Sequence, residues 1–172
     1  MLRVQSKLLG RLDLLDEFAA PVGLILPPSH VSMSRSRMPE ASPKHCASIE
    51  LRGRKALVEL DSIPTPGFFS PRRLRFFLME GGAEIASSTP ESPWAPRWSI
   101  QGPFVNAVLA RAPGASGPEF TLALAGGQPV SFYRDSTPFL ALARQAEFDE
   151  LEGRHPLLAP FLAHVVSNSL YK

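Results

Sequence analysis

Nine short runs of apolar, β-branched and aromatic residues lie between residues 47 and 143, and they restrict what this chain can fold into. They read ASIEL (47–51), KALVEL (55–60), LRFFLM (74–79), AEIASS (83–88), RWSIQ (97–101), VNAVLA (105–110), FTLALA (120–125), VSFYR (130–134) and FLALA (139–143). Gly, Pro, Ser and Asp interrupt them every eight to twelve residues or so, too often for helices to connect the runs. Short strands joined by turns favour an antiparallel roll or sandwich over a βαβ sheet. The fold class expected is mainly β: an antiparallel β-roll of double-stranded β-helix or jelly-roll type, followed by C-terminal α-helices.

Those helices are expected near residues 147–170. Phe148 and Leu151 stand three apart, and Leu158, Leu162 and Val165 follow at helical steps. Glu147, Asp149, Glu150 and Glu152 cluster at the start, where the helix dipole favours acids. Pro156 is expected to end the first helix or begin the second, because the residue before proline avoids the α region.

The first 45 residues read differently. Leu8, Leu12 and Leu15, with Arg3, Lys7 and Arg11 between them, predict a short amphipathic helix. Asp13, Asp16 and Glu17 argue against an organelle presequence, a class poor in acids. Residues 27–45 are rich in Pro and Ser and lack an apolar period, which predicts an irregular arm. Two units follow: residues 1–45 as helix and arm, and residues 46–172 as the β-roll with its helices.

Charge and cysteine content narrow the partners. The chain of 172 residues carries 18 basic and 16 acidic side chains, a net charge of +2 that gives no nucleic-acid footprint. Its one cysteine, Cys46, rules out an intramolecular disulfide and fits the cytoplasm or another reducing compartment. No apolar run reaches the roughly 18 to 20 residues of a membrane-spanning helix, so no direct membrane insertion is expected.

Chemistry-bearing motifs are few. Gly126–Gln128 match the GGQ tripeptide of peptide release factors without its basic surroundings, and read as a turn. His45 precedes Cys46, but strand neighbours face opposite sides and no orienting group is apparent. His30, His45, His155 and His164 lack zinc-ligand spacing, so no metal site is expected. No catalytic constellation can be assembled. The interaction candidates are Arg72 and Arg73 in PRRLR, Trp94 and Trp98 in a Pro-rich loop, and Phe148, Leu151 and Phe161 on the helices, since Trp and Arg dominate contact hot spots.

Four segments, in order, resemble the cyclic nucleotide-binding domain family from about residue 49 onward. They are IELRGRKALVELD, LRFFLMEGGAEIASS, VLARAPGASGPEFTLALAGGQP and FLALARQAEFDELEGRHPLLAPFLAHVV. The cadence of the last 60 residues is similar to the nucleotide-binding-like tails of some sulfate-permease-type transporters. The resemblance implies a phosphate cassette at Gly114, Gly117, Glu119 and Phe120, with Glu119 in the ribose-binding slot and cAMP or cGMP as ligand. The family's phosphate-binding arginine falls on Gln128, and Pro118 removes a backbone donor. Losing a charged partner to a buried phosphate costs on the order of 1.5–3 kcal/mol, so a degenerate site with no cofactor is expected.

Three functions follow as expectations. The first is a non-enzymatic regulatory or interaction module with a protein partner, such as a membrane transporter or a multi-subunit complex. The second is a cyclic-nucleotide or small-anion sensor, and the third a structural subunit of a larger, membrane-bound assembly.

Overall fold

In a computed structural model, the protein is described over residues 2–6, 11–26, 44–63, 73–92, 96–112, 119–137, 140–142 and 151–170. Twelve strands lie among these residues. They are β1 (Arg3–Ser6), β2 (Leu12–Leu15), β3 (Pro21–Leu26), β4 (Lys44–Leu51), β5 (Arg54–Ile63) and β6 (Arg73–Glu80), then β7 (Ala83–Pro90), β8 (Arg97–Gly102), β9 (Val105–Arg111), β10 (Glu119–Leu124), β11 (Val130–Thr137) and β12 (Leu140–Leu142). Two helical segments follow, a helical turn at residues 151–154 and α1 (Leu158–Leu170).

All nine apolar runs of the sequence are strands. Each strand pairs antiparallel with its neighbour in sequence, and β1 pairs with β12 (Arg3 opposite Leu142), which closes the sheet into a barrel. This is a meander. The jelly-roll order expected from the sequence would set several non-consecutive strands side by side, whereas among the described strands β1 and β12 form the single such pair.

The N-terminal helix is corrected as well. Leu12 and Leu15 lie on β2, and residues 7–10 are outside the described residues. Leu2, Val4 and Leu14 are buried, an inward alternation with period two that fits the same sequence as well as a helical stripe does. Tertiary pairing decides between the periods, because β1 and β2 fill the gap between β3 and β12 and leave no open edge. The sequence boundary at residue 45 therefore falls inside one sheet, with β3 pairing to β4. Residues 27–43 of the expected arm lie outside the described residues.

Alternation sorts the side chains. Ile49, Leu51, Val58, Leu78, Ile100, Leu109 and Leu122 point inward and are 0–1% exposed. Positions between them, such as Glu50, Glu59, Arg75, Ser99 and Asn106, are partly or fully exposed. A barrel that faces lipid presents its apolar residues outward, the reverse of this arrangement.

Eight strands enclose a bore that side chains alone can fill, and twelve enclose a wider one. Helix α1 occupies it. Every residue from 157 to 166 is buried, whereas a helix lying on a surface buries one stripe. Its side chains belong to the same core cluster as the inward residues of the strands. The helices expected to pack on the outside of the roll thus become, for α1, an internal plug. Pro160 is tolerated because it lies in the first turn, where the missing N–H has no helical partner.

The tight connections 16–20, 52–53, 81–82, 103–104 and 125–129 share one rim, called here the near rim. At 52–53 and 81–82 both turn residues have positive φ (Arg52 49°, Gly53 81°; Gly81 59°, Gly82 84°), the type I′ signature that matches strand twist. Gly23 has a different role. A Cβ there would lie 2.1 Å from the Glu50 carbonyl oxygen, so β3 can approach β4 only without a side chain.

Candidate functional site

The described residues of the expected phosphate cassette, Glu119, Phe120 and Gln128, do not converge. Gly114 and Gly117 lie outside the described residues. Glu119 opens β10 opposite Arg134 of β11, at the rim away from the tight turns. Phe120 is 1% exposed and faces the core, 6.0 Å from the Trp98 ring. Gln128 is exposed in the β10–β11 turn at the near rim. The length of β10, about 17 Å or more at the usual strand rise, therefore separates Glu119 from Gln128.

The interaction candidates divide in the same way. Arg72, Trp94 and Phe148 lie outside the described residues, and Arg73 begins β6. Trp98, Leu151 and Phe161 are 8%, 0% and 0% exposed and belong to the core, so their side chains offer no contact surface. The reason is closure. Inward positions of β8, and every face of a helix inside a bore, are enclosed by the sheet.

A polar cluster missed in the sequence fastens the plug at the near rim. The Glu80 carboxylate accepts two hydrogen bonds from Arg54, at 2.9 and 2.8 Å, and lies 3.1 Å from His155 Nε2. His155 Nδ1 accepts the Leu157 N–H at 3.4 Å, and its Nε2 faces both Glu80 and, at 3.4 Å, Arg54 Nη2. Phe104 of the β8–β9 turn tilts over the His155 ring at 5.3 Å. Arg52 pairs with Glu152 of the helical turn. The hydrogen bonds from Arg54 hold the Glu80 carboxyl below the usual carboxylate range, against an opposing effect of burial, and Arg54 is raised in return. Turns β4–β5, β6–β7 and β8–β9 thus converge on the hinge between the helical turn and α1. This arrangement fixes a helix in place, and it offers neither a nucleophile nor an oxyanion cradle.

Inside the bore, His164 of α1 meets the edge of Phe76, with ring centroids 5.6 Å apart. Asn168 Nδ2 lies 3.1 Å from its Nε2 and donates to its carbonyl at 2.9 Å. Burial pushes the His164 imidazole down to about 4, so it is neutral at physiological pH. No cluster of three or more His, Cys, Asp or Glu side chains fit to hold a metal occurs among the described residues.

The outer face of the β2–β3 hairpin carries the most exposed aromatic residue among those described. Phe18 is 83% exposed at the tip of the turn. On the same hairpin, a cleft of about 280 Å³ is lined by Arg11, Asp13, Pro21, Val22, Gly23, Leu24, Glu50 and Gly53. No family model matches the chain, and searches of curated proteins and of solved structures found no significant match.

Proposed function

We propose that the protein is a non-enzymatic interaction module, a rigid barrel whose turns and rims are held in fixed positions for contact with another protein. The observation that carries this reading is the plug. Barrels that carry a small ligand keep an open bore or mouth, and here the bore is filled by ten consecutive buried residues of the chain itself. With the inside occupied and the sheet closed, the surface left for recognition consists of turns and outward side chains. A partner within a transporter or other multi-subunit complex, in a reducing compartment, fits this reading and the single cysteine.

The cyclic nucleotide-binding likeness enters the proposal only in degenerate form, and the distance between Glu119 and Gln128 supports that form. Calorimetric titration of the folded protein with cAMP and with cGMP tests it, and no binding heat is expected. Micromolar binding that Glu119→Ala abolishes would replace the scaffold with a ligand sensor.

A further inference from the structure

We propose that the β2–β3 hairpin is a self-association surface, in which Phe18 of one copy seats in the cleft over Pro21, Val22 and Leu24 of a second copy, and reciprocally. This names the partner for the scaffold reading and rests on it.

Phe18 is displayed by a built turn. The Asp16 carboxylate accepts the N–H groups of Phe18, at 2.9 Å, and of Ala20, at 2.8 Å. The Asp16 N–H donates to the Ala20 carbonyl at 2.9 Å, and the Ala19 N–H to the Asp16 carbonyl at 3.2 Å. Ala19 sits at φ 62°, a left-handed conformation that costs a residue with a Cβ roughly 1–2 kcal/mol. Four hydrogen bonds and a strained residue therefore hold the backbone of a turn that displays a phenyl ring to water. A turn whose backbone is fixed in this way loses little backbone freedom when the ring docks.

The receiving cleft has the size and charge for that ring. A cavity of about 150 Å³ accommodates benzene, and this cleft measures about 280 Å³. Its two anions already have cations, Asp13 with Arg11 at 2.6 Å and Glu50 with Lys55 at 3.2 Å. The Arg11 side chain is still 49% exposed. Glu17, next to Phe18, is exposed and makes no ion pair among the described residues, so a docking turn would bring its carboxylate to the Arg11 guanidinium.

Ring and cleft on one hairpin suit a second copy. A closed sheet has no edge to which a partner strand could add, so association must use side chains. Ring and cleft lie on one hairpin, and a two-fold axis across that hairpin makes both seatings at once. Such an interface is self-complementary and stops at the dimer.

Sedimentation velocity on the full chain, from about 1 to 200 µM, is the test, because this range spans weak to moderate dimers. Dimers are expected for the wild type. Phe18→Ser removes two buried rings per dimer and is expected to weaken association at least about 100-fold, with thermal unfolding of the monomer unchanged. In a Cys46→Ser background, mixing Phe18→Cys protein with Leu24→Cys protein under mild oxidation is expected to give the mixed covalent dimer. A wild type that stays monomeric, or dimers that Phe18→Ser leaves intact, overturns the proposal. A monomer that also gives no heat with cyclic nucleotides removes the dimer alone, whereas nucleotide binding removes the scaffold reading whatever the oligomeric state.

Discussion

His164 makes the stability of the plug depend on pH in a way that can be calculated. Its imidazole titrates near 4 in the folded chain and near 6.5 when the chain is unfolded, so the unfolded state takes up the proton more readily. The contribution is fully present above about pH 6.5 and declines as pH falls. It is lost by about pH 4, amounting to about 3 kcal/mol over the whole window and about 2 kcal/mol by pH 5. The cause is desolvation, since the ring is buried inside the bore against the edge of Phe76. The perturbation is His164→Leu, which keeps an apolar side chain of similar size at the position. Urea unfolding at pH 7.5 and pH 5.0 would be followed by circular dichroism. The wild type should lose about 2 kcal/mol more than the variant, or roughly 1 M in midpoint if the slope is near 2 kcal/mol/M. Glu80 contributes little to this difference, because its carboxyl titrates below the usual carboxylate range and is present in both proteins. Equal pH dependence in wild type and variant would refute the reasoning.

Two further outcomes concern the barrel wall. Gly23→Ala puts a methyl group where the Glu50 carbonyl oxygen is 2.1 Å away, so β3 must move off β4; a loss of at least about 2 kcal/mol is expected in thermal or urea unfolding. Glu80→Gln removes the charge that Arg54 and His155 share. It is expected to cost about 1 kcal/mol at neutral pH and to flatten the acid limb below about pH 4.5, measured by the same unfolding series, because a depressed carboxylate stabilises only above its folded titration.

The β-rich part was legible because it repeats. From ASIEL to FLALA, apolar side chains alternate and glycines stand where two turns need positive φ, as at Gly53, Gly81 and Gly82. The N-terminal strands were ambiguous for a physical reason. Leu12 and Leu15 suit a helical face, Leu12 and Leu14 suit a strand, and the pairing that closes the sheet joins β1 to β12, more than 130 residues further along. The plug was half legible. LLAPFLAHVV is apolar on every side, which excludes a surface helix, but enclosure depends on strand number and closure. The site residues were the least legible. Arg54 and Glu80 stand at hairpin ends and His155 at the hinge before α1, separated by 26 and 75 residues, and no local pattern joins them. Glu119 and Gln128 show the converse, since nine positions of sequence become opposite rims once the intervening residues form a strand.

The pairing of β1 with β12 also sets a timetable for folding during synthesis. Residues 3–6 are made well before residues 140–142, which complete their sheet. At about 5–20 residues per second a ribosome needs roughly 7–30 s to cover that interval. Through that wait β1 has one of its two neighbours, and the inward faces of β1 to β11 have no helix against them, because α1 follows β12 in the chain. The nascent wall is therefore a curved apolar sheet with two open edges until its last elements emerge. It is a natural substrate for chaperones that hold chains open, and ribosome-bound chains stalled before residue 140 should be far more protease-sensitive than the released protein.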